Sequence, residues 1–230
     1  MNSMKYNVAD VEVCIEIKES VMPPSPYSLF LARNLPHLQG EETVDVGTGC
    51  GIQAIVAILK GAGKVYILDN NPHALKNAVQ NAKMNKITGL IPLPPGDVLA
   101  PFPLTLKAEV IICNPASLPM RLADSDDSPY YAGPDGRRMI ERLICQAEFR
   151  LQKNGWIYMV HSSIANLGAT KQLLKALGFR YKIIATERLK FRSFYDRTWI
   201  DTLGGINSGL YELQDGNPVE TLFLIAITRN

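Results

Sequence analysis

From Thr43 to Thr228, short apolar runs alternate with helix-like segments, and no other feature of the chain constrains its fold as tightly. Such alternation arises when crossover helices cover both faces of a parallel sheet, so that each strand is buried on both sides. The predicted strands are Thr43 to Val46, Lys64 to Leu68, Leu90 to Leu93, Ala108 to Cys113, Trp156 to His161, Tyr181 to Leu189 and Leu222 to Thr228. Between them, Asn71 and Pro72 open a helix whose Ala74, Leu75, Ala78, Val79 and Ala82 share one face. A second helix is expected to begin near Asp135, present Ile140, Leu143, Ile144, Ala147 and Leu151, and stop at Asn154-Gly155. The expectation is a doubly wound α/β domain.

Two regions stand outside the alternation. In the first, Val11, Val13, Ile15 and Ile17 alternate with mostly polar neighbours, and a proline-broken stretch from Met22 to Pro26 precedes an apolar helix from Tyr27 to Leu35. Residues 1–42 therefore read as a strand and helix appendage to a domain spanning 43–230. The second is a connection from Phe191 to Pro218, longer than ordinary loops and expected to be a functional insertion.

Composition excludes disorder, collagen and disulfide scaffolds: 47% of the 230 residues are hydrophobic and 20% charged, and the formal net charge is +2. That surplus predicts no nucleic-acid partner by itself, so any such claim must come from local patterning. Cys14, Cys50, Cys113 and Cys145 form no CxxC pair. His37, His73 and His161 show no metal-ligand spacing, and no metal is expected. The absence of a membrane-length apolar run and of a leader pattern in Met1 to Asp10 gives the expectation of a cytoplasmic protein with no membrane partner.

Val44-Asp45-Val46-Gly47-Thr48-Gly49-Cys50-Gly51-Ile52 is a strand, a glycine turn and the start of a helix, a geometry that lets backbone approach a ligand closely. The GxGxG spacing departs from the GxGxxG of dinucleotide sites, because Ile52 stands where the third glycine would be. Asp69 follows the second strand about 20 residues later, and Gly96-Asp97-Val98 follows the third. Taken singly, each carboxylate has an ordinary alternative: Asp45 orienting the turn, Asp69 capping, Asp97 solvated. Taken together, at the ends of successive strands, they describe one ligand cleft.

These motifs, in this order, resemble the class I S-adenosylmethionine-dependent methyltransferases. The resemblance runs from about Thr43 to Thr228 and implies a Rossmann-like, seven-stranded, mostly parallel sheet with helices on both faces and an antiparallel last strand. It implies S-adenosylmethionine as cofactor, held by Asp45, Gly47, Thr48, Gly49, Cys50 and Gly51, by Asp69 and Asn70 at the ribose, and by Asp97 and Val98 at the adenine, with Asn114 beside it. Asn114-Pro115-Ala116-Ser117 resembles the Asn-Pro-Pro-Tyr/Phe motif of the branch that methylates glutamine N5, adenine N6 or guanine N2. The resemblance makes Asn114 and Pro115 catalytic, since the Asn oxygen and the Pro carbonyl can accept both N–H bonds of an acceptor nitrogen. Ala116 and Ser117 depart from the motif and remove its aromatic cover.

Candidate substrate residues follow. Tyr130 or Tyr131 can supply the missing ring; Tyr27 lies in a Pro-Ser-Pro-Tyr entry segment; Ser117 belongs to the motif itself. Tyr130 to Gly136 also resembles the segment that opens the helix after the motif in glutamine N5 methyltransferases. Arg188, Lys190, Arg192 and Arg197 interleave with Phe191, Phe194, Tyr195 and Trp199, a mixture suited to RNA, although Glu187, Asp196 and Asp201 dilute it and such mixtures often form ordinary surface. The expected function is methyl transfer to a nitrogen of RNA or protein. Two alternatives stay open: a small-molecule methyltransferase, and a non-catalytic cofactor-binding chain that docks on a partner subunit through the late loop.

Overall fold

The computed structural model describes residues 3–8, 11–121 and 130–229. A hairpin of β1 (Met4–Val8) and β2 (Val11–Ile15) precedes α1 (Pro26–Asn34). There follow β3 (Glu42–Val46), α2 (Ile52–Leu59), β4 (Lys64–Leu68), α3 (Pro72–Met84), β5 (Leu90–Pro92) and β6 (Ala108–Cys113). The remainder is α4 (Arg138–Arg150), β7 (Leu151–Ser162), a 3-10 turn, α5 (Leu167–Ala176), β8 (Phe179–Lys190), α6 (Arg197–Thr202), β9 (Glu212–Gln214) and β10 (Asn217–Arg229).

The main sheet runs β5-β4-β3-β6-β7-β10-β8, with short β9 paired to β10. β5, β4, β3, β6 and β7 pair in parallel, whereas β10 is antiparallel to both β7 and β8. All seven expected strands are present, and the last is the antiparallel one. Strand order reverses between β3 and β6, so the carboxyl ends of those two strands open a crevice suited to a ligand.

One face of the sheet packs Val44, Val46 and Ile111 against Ile140, Leu143 and Ala147 of α4 and Leu174 of α5. The other packs Val65, Ile67, Val110 and Ile112 against Ala54 and Ala57 of α2 and Leu75 and Ala78 of α3. α2 is apolar almost all round because it is covered on nearly every side. Local signals set the helix starts. Ser25 Oγ accepts from Ser28 N–H ahead of Pro26, and Asn71 Oδ1 accepts from His73 N–H ahead of Pro72.

One expectation is corrected. α4 ends at Arg150, not at Asn154-Gly155, and β7 begins at the next residue. The pairing shifts register between Ala108/Leu151 and Val110/Trp156, and Asn154 takes a φ of 64° inside that irregularity. The Asn-Gly signal therefore marks a bulge in the strand, a role this dipeptide fills as readily as a helix stop.

The N-terminal hairpin is fastened to α3 by a polar ladder. Asn77, Asn81 and Asn85 recur every four residues, and their amides pair with the backbone of alternate residues Cys14, Glu16 and Lys18. Four helical residues advance about 6 Å and two strand residues about 6.7 Å, so the two rows stay nearly in step. Asn81 is fully buried and also donates to Cys50 O, which ties the hairpin to the glycine turn. Replacing Asn81 by Ala leaves a buried N–H and carbonyl without partners, and the expected loss is about 3 kcal/mol, against about 0.5 kcal/mol or less for Gln80→Ala on the exposed side. Urea unfolding midpoints of the two variants check it.

Candidate functional site

At the carboxyl end of β3 the chain turns through Gly47, Thr48 and Gly49. Leu68 O accepts from both Gly47 N–H and Thr48 N–H at 2.9 and 3.0 Å, and Gly49 N–H donates to Asp69 Oδ2 at 3.0 Å. Asp69 Oδ1 accepts from Asn71 N–H at 2.9 Å. The Asp69 carboxylate is thus fixed by two backbone donors and keeps lone pairs for a further hydroxyl on each oxygen. Behind the turn, Asp45 is buried and accepts from Thr48 Oγ1 at 2.7 Å. Gly51 packs on α3: a Cβ there would lie 2.7 Å from Ala78 Cβ, and its φ is 85°, so only glycine lets α2 start this close to its neighbour.

The cleft beside this turn has a volume of about 600 Å³, within the range of small-molecule sites. One end is formed by Gly47, Thr48, Gly49, Cys50, Asp69 and Asn70, and its far wall by Gly96, Asp97 and Val98. Gly96 N–H donates to Asp69 O, which draws the two walls together. Val98 is β-branched yet has a φ of 51°, a strained conformation that turns up most often at ligand sites. Asp97 Oδ2 accepts from Arg142 at 2.8 Å across the mouth, which leaves Oδ1 as an acceptor. Nothing lies within 4 Å of where a Gly49 Cβ would stand. An open backbone cradle, a fixed carboxylate for a ribose and a carboxylate with a free acceptor oxygen fit the parts of S-adenosylmethionine.

At the other end, Asn114 follows β6 and its Nδ2 donates to Ser28 Oγ at 3.1 Å, while Ser28 Oγ lies 3.2 Å from Ser25 Oγ. With Nδ2 committed to α1, Oδ1 carries the lone pairs available to an incoming N–H. Pro115 and Ser117 line the same end. Gly136 allows the following segment to pass close by, since a Cβ there would sit 2.5 Å from Ser117 O. Tyr130 stacks on Phe194 at 4.7 Å and 20°, and the Arg138 guanidinium lies 5.0 Å over Tyr131. Both tyrosines line the cleft, as do Tyr27 and Arg192, the latter 5.1 Å over Phe194.

The structure therefore gathers the sequence-derived candidates into one cleft, except Asp45 and Gly51, which lie behind the turn and do not face it. Phe194 and Tyr195, named in the sequence only within the basic and aromatic mixture, line it as well, and so does Ser28, which was not singled out. The only sequence signal of Ser28 is its position beside the entry tyrosine. Part of the basic and aromatic stretch is engaged within the chain itself. Arg188 pairs with Glu212 and Arg197 with Asp201, while Phe191 packs between Tyr195 and Tyr211. His161 is buried, bonded to Ser162 O and Thr170 Oγ1, with its pKa pushed down to about 4 chiefly by burial, so it is a neutral packing residue. Burial also raises the Cys50 thiol to about 11, which makes it inert as a nucleophile. Among the described residues, no group of three or more His, Cys, Asp and Glu side chains could hold a metal.

A family model described as ribosomal protein L11 methyltransferase matches residues 12–124. Over 181 residues the chain is 31% identical to a protein of Methanocaldococcus jannaschii provisionally named a protein N5-glutamine methyltransferase, covering 77% of this chain and 90% of that one. A ribosomal protein L11 methyltransferase of Carboxydothermus hydrogenoformans is 44% identical over 75 residues, 33% of this chain and 24% of that protein. Two solved structures share the fold. One is from the E. cuniculi Mtq2–Trm112 complex described as responsible for methylation of the eRF1 translation termination factor, with TM-score 0.61, 18% identity and coverage of 91% and 99%. The other is the T. thermophilus 16S rRNA methyltransferase RsmC with AdoMet and guanosine, with TM-score 0.61, 16% identity and coverage of 99% and 50%. The chain belongs to the class I S-adenosylmethionine-dependent methyltransferases. It is an enzyme of that class, and its cofactor is S-adenosylmethionine.

Asp45 gives a pH test of the turn. Burial raises its carboxyl from 3.8 to about 7, opposed by the Thr48 hydrogen bond and helped by the Asp69 charge. A folded-state pKa above the unfolded one favours the protonated form, so its contribution is full below about pH 4 and is lost as pH rises through about 7. Thermal unfolding is expected to show the wild-type melting temperature falling between about pH 4 and pH 7 and levelling above that, and Asp45→Asn flattening that slope.

Proposed function

We propose that the chain methylates the side-chain amide nitrogen of a glutamine in a protein. The observation that carries this reading is the Asn114 amide, pinned through Nδ2 by Ser28 at the acceptor end of the cleft. S-adenosylmethionine supplies a sulfonium methyl; transfer forms a nitrogen–carbon bond as the carbon–sulfur bond breaks, S-adenosylhomocysteine leaves as a neutral thioether, and the methylated nitrogen gives up one proton to solvent. On this reading Asn114 Oδ1 and the Pro115 carbonyl accept the two N–H groups of the amide, which aims its nitrogen at the methyl and draws its lone pair out of the carbonyl. At the cofactor end, Asp69 and Asn70 take the ribose, Asp97 the adenine amino group and Val98 the ring, against the backbone of Gly47, Thr48 and Gly49. Tyr130, braced by Phe194, covers the acceptor where the Asn-Pro-Ala-Ser motif lacks a ring.

Two further observations favour protein over RNA. The M. jannaschii relative bears the name of a protein N5-glutamine methyltransferase and is matched over nearly its whole length. The arginines on which an RNA interface would depend are partly neutralised within the fold. No helix among the described residues is long and apolar enough to cross a membrane, and all four cysteines are free, which fits action in the reducing cytoplasm.

The test is transfer of radiolabelled methyl from S-adenosylmethionine to fractionated cell extract. Label is expected in protease-sensitive material and, after enzymatic digestion, in N5-methylglutamine; label in ribonuclease-sensitive material or in metabolites overturns the reading. Purified chain alone, and chain supplemented with extract before isolation, show whether a partner subunit is needed. Asn114→Ala is expected to lower kcat by about 100-fold, the scale of losing one aimed hydrogen-bond partner, while S-adenosylhomocysteine affinity measured by calorimetry changes less than about twofold. Ser28→Ala, which frees the amide without removing it, is expected to lower kcat by about tenfold.

A further inference from the structure

Glu220 sits in β10, fully buried, with no part in the reading above. Tyr27 of α1 meets its Oε2 at 2.6 Å, and Tyr195 of the late connection meets its Oε1 at 2.8 Å. The two phenol oxygens are themselves 2.8 Å apart, and Ser162 at the end of β7 donates to Oε2. Tyr27 adjoins Ser28, which orients Asn114, and Tyr195 adjoins Phe194, which braces Tyr130. One carboxyl thus joins the segments on either side of the acceptor end.

Counting protons identifies its state. The triangle of Tyr27, Tyr195 and Glu220 has three oxygen pairs at hydrogen-bond distance, and each needs one proton between its members. The two phenols supply two, and the Ser162 proton is spent on Oε2 outside the triangle. A carboxylate supplies none, which would leave two lone-pair oxygens facing each other at 2.8 Å. A carboxylic acid supplies the third and completes the ring. Burial raises the Glu220 pKa in the same direction, against the hydrogen bonds from Ser162, Tyr27 and Tyr195 and the charge of Arg192. Those tyrosines and Arg192 are the titratable or charged groups that bear on it; β7 contributes the Ser162 hydroxyl, and Leu189 is its paired residue on β8.

We propose that Glu220 is a positioning residue which, as a neutral carboxylic acid, closes a three-proton ring with Tyr27 and Tyr195 and holds the late connection over the acceptor end of the cleft. The inference rests on the acceptor reading only in naming that end. The sign of the pH dependence follows from the raised pKa: the ring is complete at pH values below the folded-state value, which lies above the ordinary carboxyl one, and opens as pH rises through it. Gln at position 220 offers an oxygen acceptor and an N–H donor with no titration, so it completes the ring at every pH.

Hydrogen exchange of the backbone amides of Phe191 to Leu210, on the full chain and corrected for intrinsic rates, reads the latch directly. The wild type is expected to lose about tenfold protection there between about pH 5 and pH 9, while β3 and β6 keep theirs. Glu220→Gln is expected to hold full protection across that range, and Tyr195→Phe to lose it throughout. S-adenosylhomocysteine affinity by calorimetry is expected to stay within about twofold of wild type in both variants. A flat wild-type profile, or a Glu220→Gln profile that falls with the wild type, overturns the protonated ring. Loss of S-adenosylhomocysteine binding in step with loop protection in Tyr195→Phe overturns the assignment to the acceptor end. Because no methyl acceptor enters these measurements, a failure of transfer to glutamine and a failure of the latch are read separately.

Discussion

The hydrogen bond from Gly49 N–H to Asp69 Oδ2 joins the turn after β3 to the end of β4, and the cleft depends on it. Parallel strands leave unpaired N–H groups where they stop, and a ligand site there must satisfy those groups without filling the space in front of them. Leu68 O takes the first two donors of the turn, Asp69 takes the third, and the same carboxylate takes Asn71 N–H as α3 begins. The backbone is settled before any ligand arrives. What remains exposed is acceptor capacity on Asp69 and open space at Gly49, the complement of a ribose and a sulfonium-bearing chain.

The turn is held from behind by polar groups more than by apolar packing. Asp45 ties Thr48, and Asn81 ties Cys50 O to the backbone of Glu16, just after β2. An asparagine in a buried helix position is costly unless all its bonds are made, and the regular spacing of Asn77, Asn81 and Asn85 against alternate residues of β2 and the segment that continues it makes them. The helix face thus serves the hairpin as a neighbouring strand would. A segment outside the main sheet is thereby brought into register with the cofactor turn, and the Ser20 to Tyr27 stretch that follows it becomes one wall of the cleft.

The strands, the glycine turn, Asp69 and Asn114 were legible because each is written in contiguous residues: an apolar run, then turn chemistry, then a side chain at a strand end. The asparagine ladder was hidden because Asn at four-residue spacing resembles an ordinary solvated helix face, and only the strand packed against it distinguishes the two. The contacts of Ser28, Tyr195 and Glu220 were hidden for a different reason. Their partners lie 86, 168 and 193 residues away in the chain, and no local pattern encodes such a meeting. A trace did exist, for Glu220 stands just ahead of the apolar run Leu222 to Ile227 in the final strand, at a position buried completely. Asn154-Gly155 misled because left-handed turns end helices and bulge strands with the same residues.

The altered motif after β6 changes where specificity resides. An aromatic residue within the motif would fix the acceptor's cover to the same short segment that holds its nitrogen. Here Ser117 takes that place with Gly136 packed close against its backbone, and the ring comes instead from Tyr130, stacked on Phe194 of the late connection. On the proposed reading the chemistry stays with Asn114 and Ser28, while the covering ring of Tyr130 rests on a segment held by Tyr195 and Glu220. The two parts are still coupled, because Tyr27, next to Ser28, and Tyr195, next to Phe194, meet on the same Glu220 carboxyl. On the proposed reading the cover and the amide that aims the acceptor are therefore set in place together, by a contact that lies outside the motif.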